Sequence, residues 1–307
     1  MHLPAREGLP RSGPFLGAAL VVVSCLGVQA SAALSSALFD RLGTPAVAGL
    51  RQLCAALVLL ALVRPRIRGR TRAEWSGIAV YGAAMAAMNV AYYGAVARLP
   101  LGVAATLLFL GPFAVAVASA RAWREALVPA VGLAGVVLVT RPGGSLPGES
   151  PAWAGIGFGL LSALALALYT VFAQRVGRAS PGLDGLALAV GASATLLLPF
   201  SVPAAPEMNA SDWGLIALSG LIGVALAFTL DFLAVKVATA RVVATLFSLD
   251  PVMGALVGAV ALGERLSAPV LAGMGLIMSA GATATWRAGS APSGARRPPG
   301  GLPRRSR

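Results

Sequence analysis

Val103–Pro112 reads VAATLLFLGP, and Val242–Pro251 reads VVATLFSLDP. The two decapeptides agree at six positions, and the largest change puts Asp250 where the first copy has Gly111. An apolar segment repeated as far as its closing proline, with a carboxylate added to one copy, takes its meaning from the solvent it faces.

Composition identifies that solvent. Of 307 residues, 57% are apolar and 11% charged, whereas a soluble domain carries about a quarter of its residues charged. Apolar runs of roughly 20 residues, each enough to cross about 30 Å of hydrocarbon as a helix, recur from end to end. Ten are expected: 15–36, 44–63, 75–97, 101–119, 125–140, 152–174, 183–203, 213–235, 242–262 and 268–286. The runs are continuous rather than alternating, so they suit helices and not barrel strands, and lipid leaves no water for unpaired backbone groups.

The net charge of +13 suggests a nucleic-acid partner until its distribution is read. With a cytoplasmic N-terminus, Arg41, Arg98, Arg141 and Arg265 fall outside, Arg51 falls within a span, and the other 19 of 24 basic residues fall inside. Such a bias is the positive-inside rule, and it places both termini in the cytoplasm of a multi-pass membrane protein. The basic charge is then explained by anionic lipid, with no nucleic acid needed. Ala30-Ser31-Ala32 has the form of a signal-peptidase site, but the run before it is too long for an ordinary leader and cleavage would invert the charge parity, so the first span is expected to remain. Cys25 and Cys54 lie within spans with no metal or redox spacing, and His2 is the only histidine. Neither a metal nor a cofactor is expected.

Five spans separate the two decapeptides. That number is odd, so the fourth span runs inward and the ninth outward, and the halves are expected to be inverted repeats. Both copies lead into a small-residue run, a basic turn with a glutamate (RAWREAL; LGERLSAP) and a Gly-rich final span. The expected organisation is a cytoplasmic segment 1–14, a first five-helix repeat 15–140, an extracytoplasmic loop 141–151, a second repeat 152–286 and a disordered basic tail 287–307. Gly254 and Gly258 have the spacing that lets helix backbones approach closely. Pro112 and Pro251 fall near the middle of their spans, where a missing N–H permits a bend.

The residues resemble the EamA-domain transporters of the drug/metabolite transporter superfamily, particularly the threonine and homoserine exporters. The resemblance is carried by GTPAVAGLR at 43–51, YGAAMAAMNVAYYG at 81–94, LPLG at 99–102, FLGPFAVAV at 109–117, TLDFLAV at 229–235, SLDP at 248–251 and LGERLS at 262–267. It implies a secondary transporter of two inverted five-helix repeats that exports small metabolites such as amino acids. Leu108 and Leu166 depart from the pattern, standing where those exporters often carry a glutamate and a tryptophan.

An ionisable side chain inside a span costs at least a few kcal/mol, so each is a functional candidate. There are three: Arg51, Asp231 and Asp250. At 1.5 Å rise per residue, Arg51 and Asp250 lie within about 5 Å of mid-membrane on opposite sides, and Asp231 lies roughly 10 Å toward the inside. Arg51 is a candidate either for a structural ion pair or for a substrate carboxylate, and Asp250 and Asp231 are candidates for proton coupling. Asn89, Tyr92, Tyr93, Gln29 and Gln174 are candidate hydrogen-bonding walls of a substrate site. The rival readings are an importer, or an exporter of another metabolite or a drug-like compound. More remote are an intramembrane aspartyl protease, which the Ser-Leu-Asp-Pro setting of Asp250 does not favour, and a membrane scaffold. Reporter fusions placed after Gly148 and after Arg307 are expected to register opposite sides of the membrane, and the same side for both would contradict the topology.

Overall fold

The computed structural model describes residues 13–118, 152–180, 182–237 and 249–290, with positions 131, 134, 135 and 138. Apart from those four positions the fifth expected span lies outside the described residues, as do 242–248 of the ninth span and the tail from 291. Every regular element is helical, and no strand occurs among the described residues. The longer helices are α1 (Gly13–Ser36), α2 (Thr44–Val63), α3 (Arg72–Val96), α4 (Leu101–Ala118), α5 (Ala152–Ala179), α6 (Asp184–Ala204), α7 (Ala210–Gly220), α8 (Ala227–Val237), α9 (Asp250–Ala261) and α10 (Ala268–Ser290), with short helical turns at Phe39–Leu42 and Ala205–Glu207. A π-helical segment, Leu221–Leu226, joins α7 to α8 without a break. Five of the described helical stretches are long and apolar enough to cross a bilayer.

Two helices start three residues before the apolar pattern does, and their caps supply the reason. Thr71 accepts from the Glu74 backbone N–H while the Glu74 carboxylate accepts from the Thr71 N–H, so α3 begins at Arg72. Asn209 and Asp212 make the same reciprocal pair ahead of α7. Each pair satisfies two backbone donors that a helix start otherwise leaves open. At the far end α10 runs to Ser290, four residues past the expected boundary.

In the bundle α2 lies along α6, α3 along α5, and α1 along α7, the π-segment and α8. The fourth and ninth spans meet through small residues. A Cβ on Gly102 would come within 2.8 Å of the Ala255 Cα, and one on Gly254 within 3.1 Å of the Ala105 Cβ and 3.2 Å of the Gly102 Cα. Apolar side chains give helices no net attraction in lipid, so this close backbone approach is what holds α4 to α9.

The turns are tied across each end. Arg41, between α1 and α2, pairs with Asp212 at 2.5 Å and donates to the Glu207 carbonyl at 3.1 Å. At the opposite end Arg70, between α2 and α3, reaches Asp184 at 3.6 Å and donates to Ser180 Oγ at 2.7 Å. The Glu264 carboxylate, between α9 and α10, takes the backbone N–H of Leu101 at 2.9 and 3.0 Å and so caps α4. Pro112 lies within α4, whose helix continues through it to Ala118. Pro251 lies at the second residue of α9 as described, and the residues that precede Leu249 in its span lie outside the described residues.

Gly254→Leu is expected to lower the stability of the detergent-solubilised protein by about 1–3 kcal/mol through overpacking against α4. Gly275→Leu, on α10 with open space around a new Cβ, is expected to leave the thermal midpoint unchanged, and equal behaviour of the two variants would contradict this packing.

Candidate functional site

A hydrogen-bonded network runs through the middle of the bundle from α1. Gln29, fully buried, donates from Nε2 to Asp250 Oδ2 at 2.9 Å and accepts at Oε1 from the Tyr92 hydroxyl at 2.7 Å. Two turns further along α1, Ser35 accepts from the Tyr93 hydroxyl at 2.9 Å, and the same hydroxyl receives Nη1 of Arg51. Ser35 Oγ lies 2.6 Å from Ser219 Oγ, which donates to the Ser31 carbonyl at 3.1 Å. Ser31 Oγ donates in turn to the Ser219 carbonyl at 2.9 Å. Neighbouring residues of α3, Tyr92 and Tyr93, thus serve two arms: one ends on the carboxylate of Asp250 and the other on the guanidinium of Arg51. Their ring centroids are 6.2 Å apart.

Arg51 is 3% exposed. Its guanidinium carbon stands 5.0 Å from the Tyr93 ring centroid, close enough for a cation–π contact. The only ion pairs among the described residues are those of Arg41 and Arg70, so none of their carboxylates neutralises Arg51. Its Nε is buried without a hydrogen-bond partner. A buried cation in this condition costs several kcal/mol, and an anion arriving from outside the chain would relieve that cost. Arg51 and Asp250, expected at similar depth, form no ion pair, and Tyr93, Tyr92 and Gln29 stand between them.

The backbone around Arg51 is arranged by the π-segment. A Cβ on Gly220 would collide with the Arg51 carbonyl, and one on Gly223 would collide with Ser31 and lie 3.0 Å from Arg51 Nη2. Only glycine lets α7 and the π-segment approach both α1 and α2 here. One-turn π-helical stretches inside helices frequently mark functional sites.

The remaining candidates divide. Asp231 lies on α8 with Oδ1 buried and without a partner. Asn89 is buried but turns its amide onto the Met85 carbonyl of its own helix at 2.9 Å. Gln174 is exposed on α5 and takes no part in the network. Ser31, Ser35, Ser219 and the buried pair Gln52–Ser193, joined at 3.0 Å, belong to the polar interior but were not singled out by charge or aromaticity. The spacing of Ser31 and Ser35, four apart on an apolar helix, is the one trace they leave in the sequence. No group of residues able to hold a metal ion occurs among the described residues.

Comparison with known proteins gives three results. Residues 153–285 match the model of the EamA-like transporter family, so the second half of the chain carries that domain. The chain is 28% identical over 273 residues to the threonine/homoserine exporter RhtA of Escherichia coli K12, covering 87% of this chain and 91% of that protein. It is 26% identical over the same length to RhtA of Salmonella typhimurium LT2. A protein of known crystal structure, 19% identical, superposes with a TM-score of 0.60 over 88% of this chain and 97% of its own, which shows a shared fold.

Tyr93→Phe removes the one hydroxyl that joins Arg51 to Ser35. It is expected to cost about 1–3 kcal/mol, the penalty for leaving buried polar groups unpaired, read as a lower thermal midpoint in detergent. A midpoint equal to that of the unaltered protein would contradict the network.

Proposed function

We propose that this chain, with its EamA domain, is a secondary carrier and not an enzyme, exporting small polar metabolites, amino acids foremost, across the inner membrane in exchange for protons. The observation that carries this reading is a buried cation, Arg51, and a half-buried carboxylate, Asp250, held apart on two neighbouring hydrogen-bonded arms. Arg51 keeps an unpartnered Nε, and Asp250 meets the neutral amide of Gln29. A zwitterion offers a carboxylate to the first and an ammonium to the second. The exporter names of the relatives support the direction and the substrate class.

Proton exchange follows from competition. An ammonium group and a proton cannot both neutralise one carboxylate, so a carrier that releases substrate outside and takes a proton there returns with Asp250 neutral. The repeat mate of Asp250 is Gly111, which supports assigning Asp250 a role that packing symmetry did not require. Asp231, with its own unpartnered oxygen, is placed second on this route.

The architecture proposed for alternating access is ten helices in two inverted repeats, span n matching span n + 5. The contacts support it. The tie between the first turn and the turn between spans seven and eight, Arg41 to Asp212, corresponds under this pairing to the tie between the sixth-to-seventh and second-to-third turns, Asp184 to Arg70. The pairing of α1 with α7 and α8 corresponds likewise to that of α5 with α3. The charge bias supports cytoplasmic termini, and anionic lipid is the expected partner of the basic inner turns.

Asp250→Asn, inserted normally, is expected to lose amino-acid flux driven by a pH gradient in vesicles, while Asp231→Asn is expected only to weaken it. Flux through Asp250→Asn with an unchanged dependence on the gradient would refute the coupling assignment.

A further inference from the structure

Helix α1 grips the π-segment at both ends. Ser31 Oγ donates to the Ser219 carbonyl at 2.9 Å, just ahead of the segment, and Ser24 Oγ donates to the Ala227 carbonyl at 3.2 Å, just past it. Between the two serines Gly27 lets α1 come close, since a Cβ there would lie 3.1 Å from the Ile222 carbonyl oxygen. Ser24, Gly27 and Ser31 are spaced three and four apart, so one face of α1 makes all three contacts. Within this grip the Ala227 N–H reaches back to the Ile222 carbonyl, a separation of five residues. An α-helical bond spans four, so the segment holds one residue more than a regular turn needs. It also lies between two groups of unmet demand. On one side Gly220 packs on the Arg51 carbonyl, and a Cβ on Gly223 would lie 3.0 Å from Arg51 Nη2. On the other side α8 carries Asp231, about one turn past Ala227, with Oδ1 unpartnered.

We propose that the π-segment is the moving joint of the carrier: its extra residue shifts along the eighth span, turns α8, and so links a change at Arg51 to the placement of the Asp231 carboxylate. This rests on the carrier reading above and adds to it the element that joins the two groups. An anion that draws the Arg51 guanidinium toward itself takes Nη2 away from Gly223 and frees that end of the segment. As the extra residue moves toward Asp231, each residue it passes turns by about 100°. A one-residue step shortens one backbone bond from five residues to four and opens the next to five, so the joint moves without leaving a backbone group unpaired in lipid. Ser31 and Ser24 mark the two ends between which the segment is held in the present arrangement.

The test takes the extra residue out of the full chain. Leu226 is 45% exposed, so its deletion removes little buried contact and leaves a regular helix whose two flanks keep their faces. The thermal midpoint in detergent is expected to be no lower than that of the unaltered protein. Deletion of Leu164, exposed on the regular helix α5, is expected to lower the midpoint, because every later residue of α5 then turns by about 100°. In proteoliposome counterflow of labelled threonine and homoserine, deletion of Leu226 is expected to cut turnover by about tenfold or more while KM stays within about twofold. Turnover equal to that of the unaltered protein would overturn the joint and leave the carrier standing. If deletion of Leu226 prevents insertion, deletion of Ala225 takes a residue from the same turn, and failure of both would overturn the inference, since the turn then has no residue to spare. An unaltered protein that moves neither amino acid would overturn the carrier reading and this inference with it.

Discussion

A bilayer interior holds no water, so every backbone amide and every charge placed there must find its partner within the protein. The helical bundle answers the first demand with bonds inside each helix. The second is met only in part at Arg51, whose guanidinium has the Tyr93 hydroxyl and ring but, among the described residues, no carboxylate. The rest of the polar interior is organised around that shortfall. Ser31, Ser35 and Ser219 hold one another and the Tyr93 hydroxyl. The glycines flanking them bring α7 and the π-segment close enough to touch both α1 and α2.

Helix α1 is the spine of this arrangement. Ser24, Gln29, Ser31 and Ser35 reach out from it to four other elements, ending on the Ala227 carbonyl, Asp250, Ser219 and Tyr93. Its glutamine links Asp250 to Tyr92 and uses both ends of its amide to do so. Were Asp250 instead in contact with Arg51, the two charges would neutralise each other and leave nothing for a ligand to satisfy. Their separation by three uncharged side chains keeps both demands open.

Outside the hydrocarbon the ties become ionic, and water alters their character. Arg41 and the Asn209 backbone hold the Asp212 carboxyl below its usual range, so this tie is complete above the ordinary aspartate range and weakens as pH falls through the lowered value. Burial pushes Glu264 upward while the Leu101 N–H holds it down. Gly258 makes room for that carboxylate, since a Cβ there would collide with it. One glutamate thereby joins the α9–α10 turn to the start of α4, beside the contact where α4 and α9 pack through glycine.

Much of this was legible in the sequence because it depends on local properties. Apolar run length located the described helices, charge parity proposed their direction, and insertion cost singled out Arg51, Asp231 and Asp250. The capping boxes at Thr71 and Asn209 are also local, and reading them would have moved two helix starts by three residues. Which face each helix turns inward was another matter. A helix that is apolar all round carries almost no amphipathic signal, so its rotation about its own axis is set by packing and not by pattern. That rotation put Gln29 between Asp250 and Tyr92 and set Ser219 against Ser35, while leaving Gln174 exposed. It also keeps Arg51 from Asp250, which lies at similar depth.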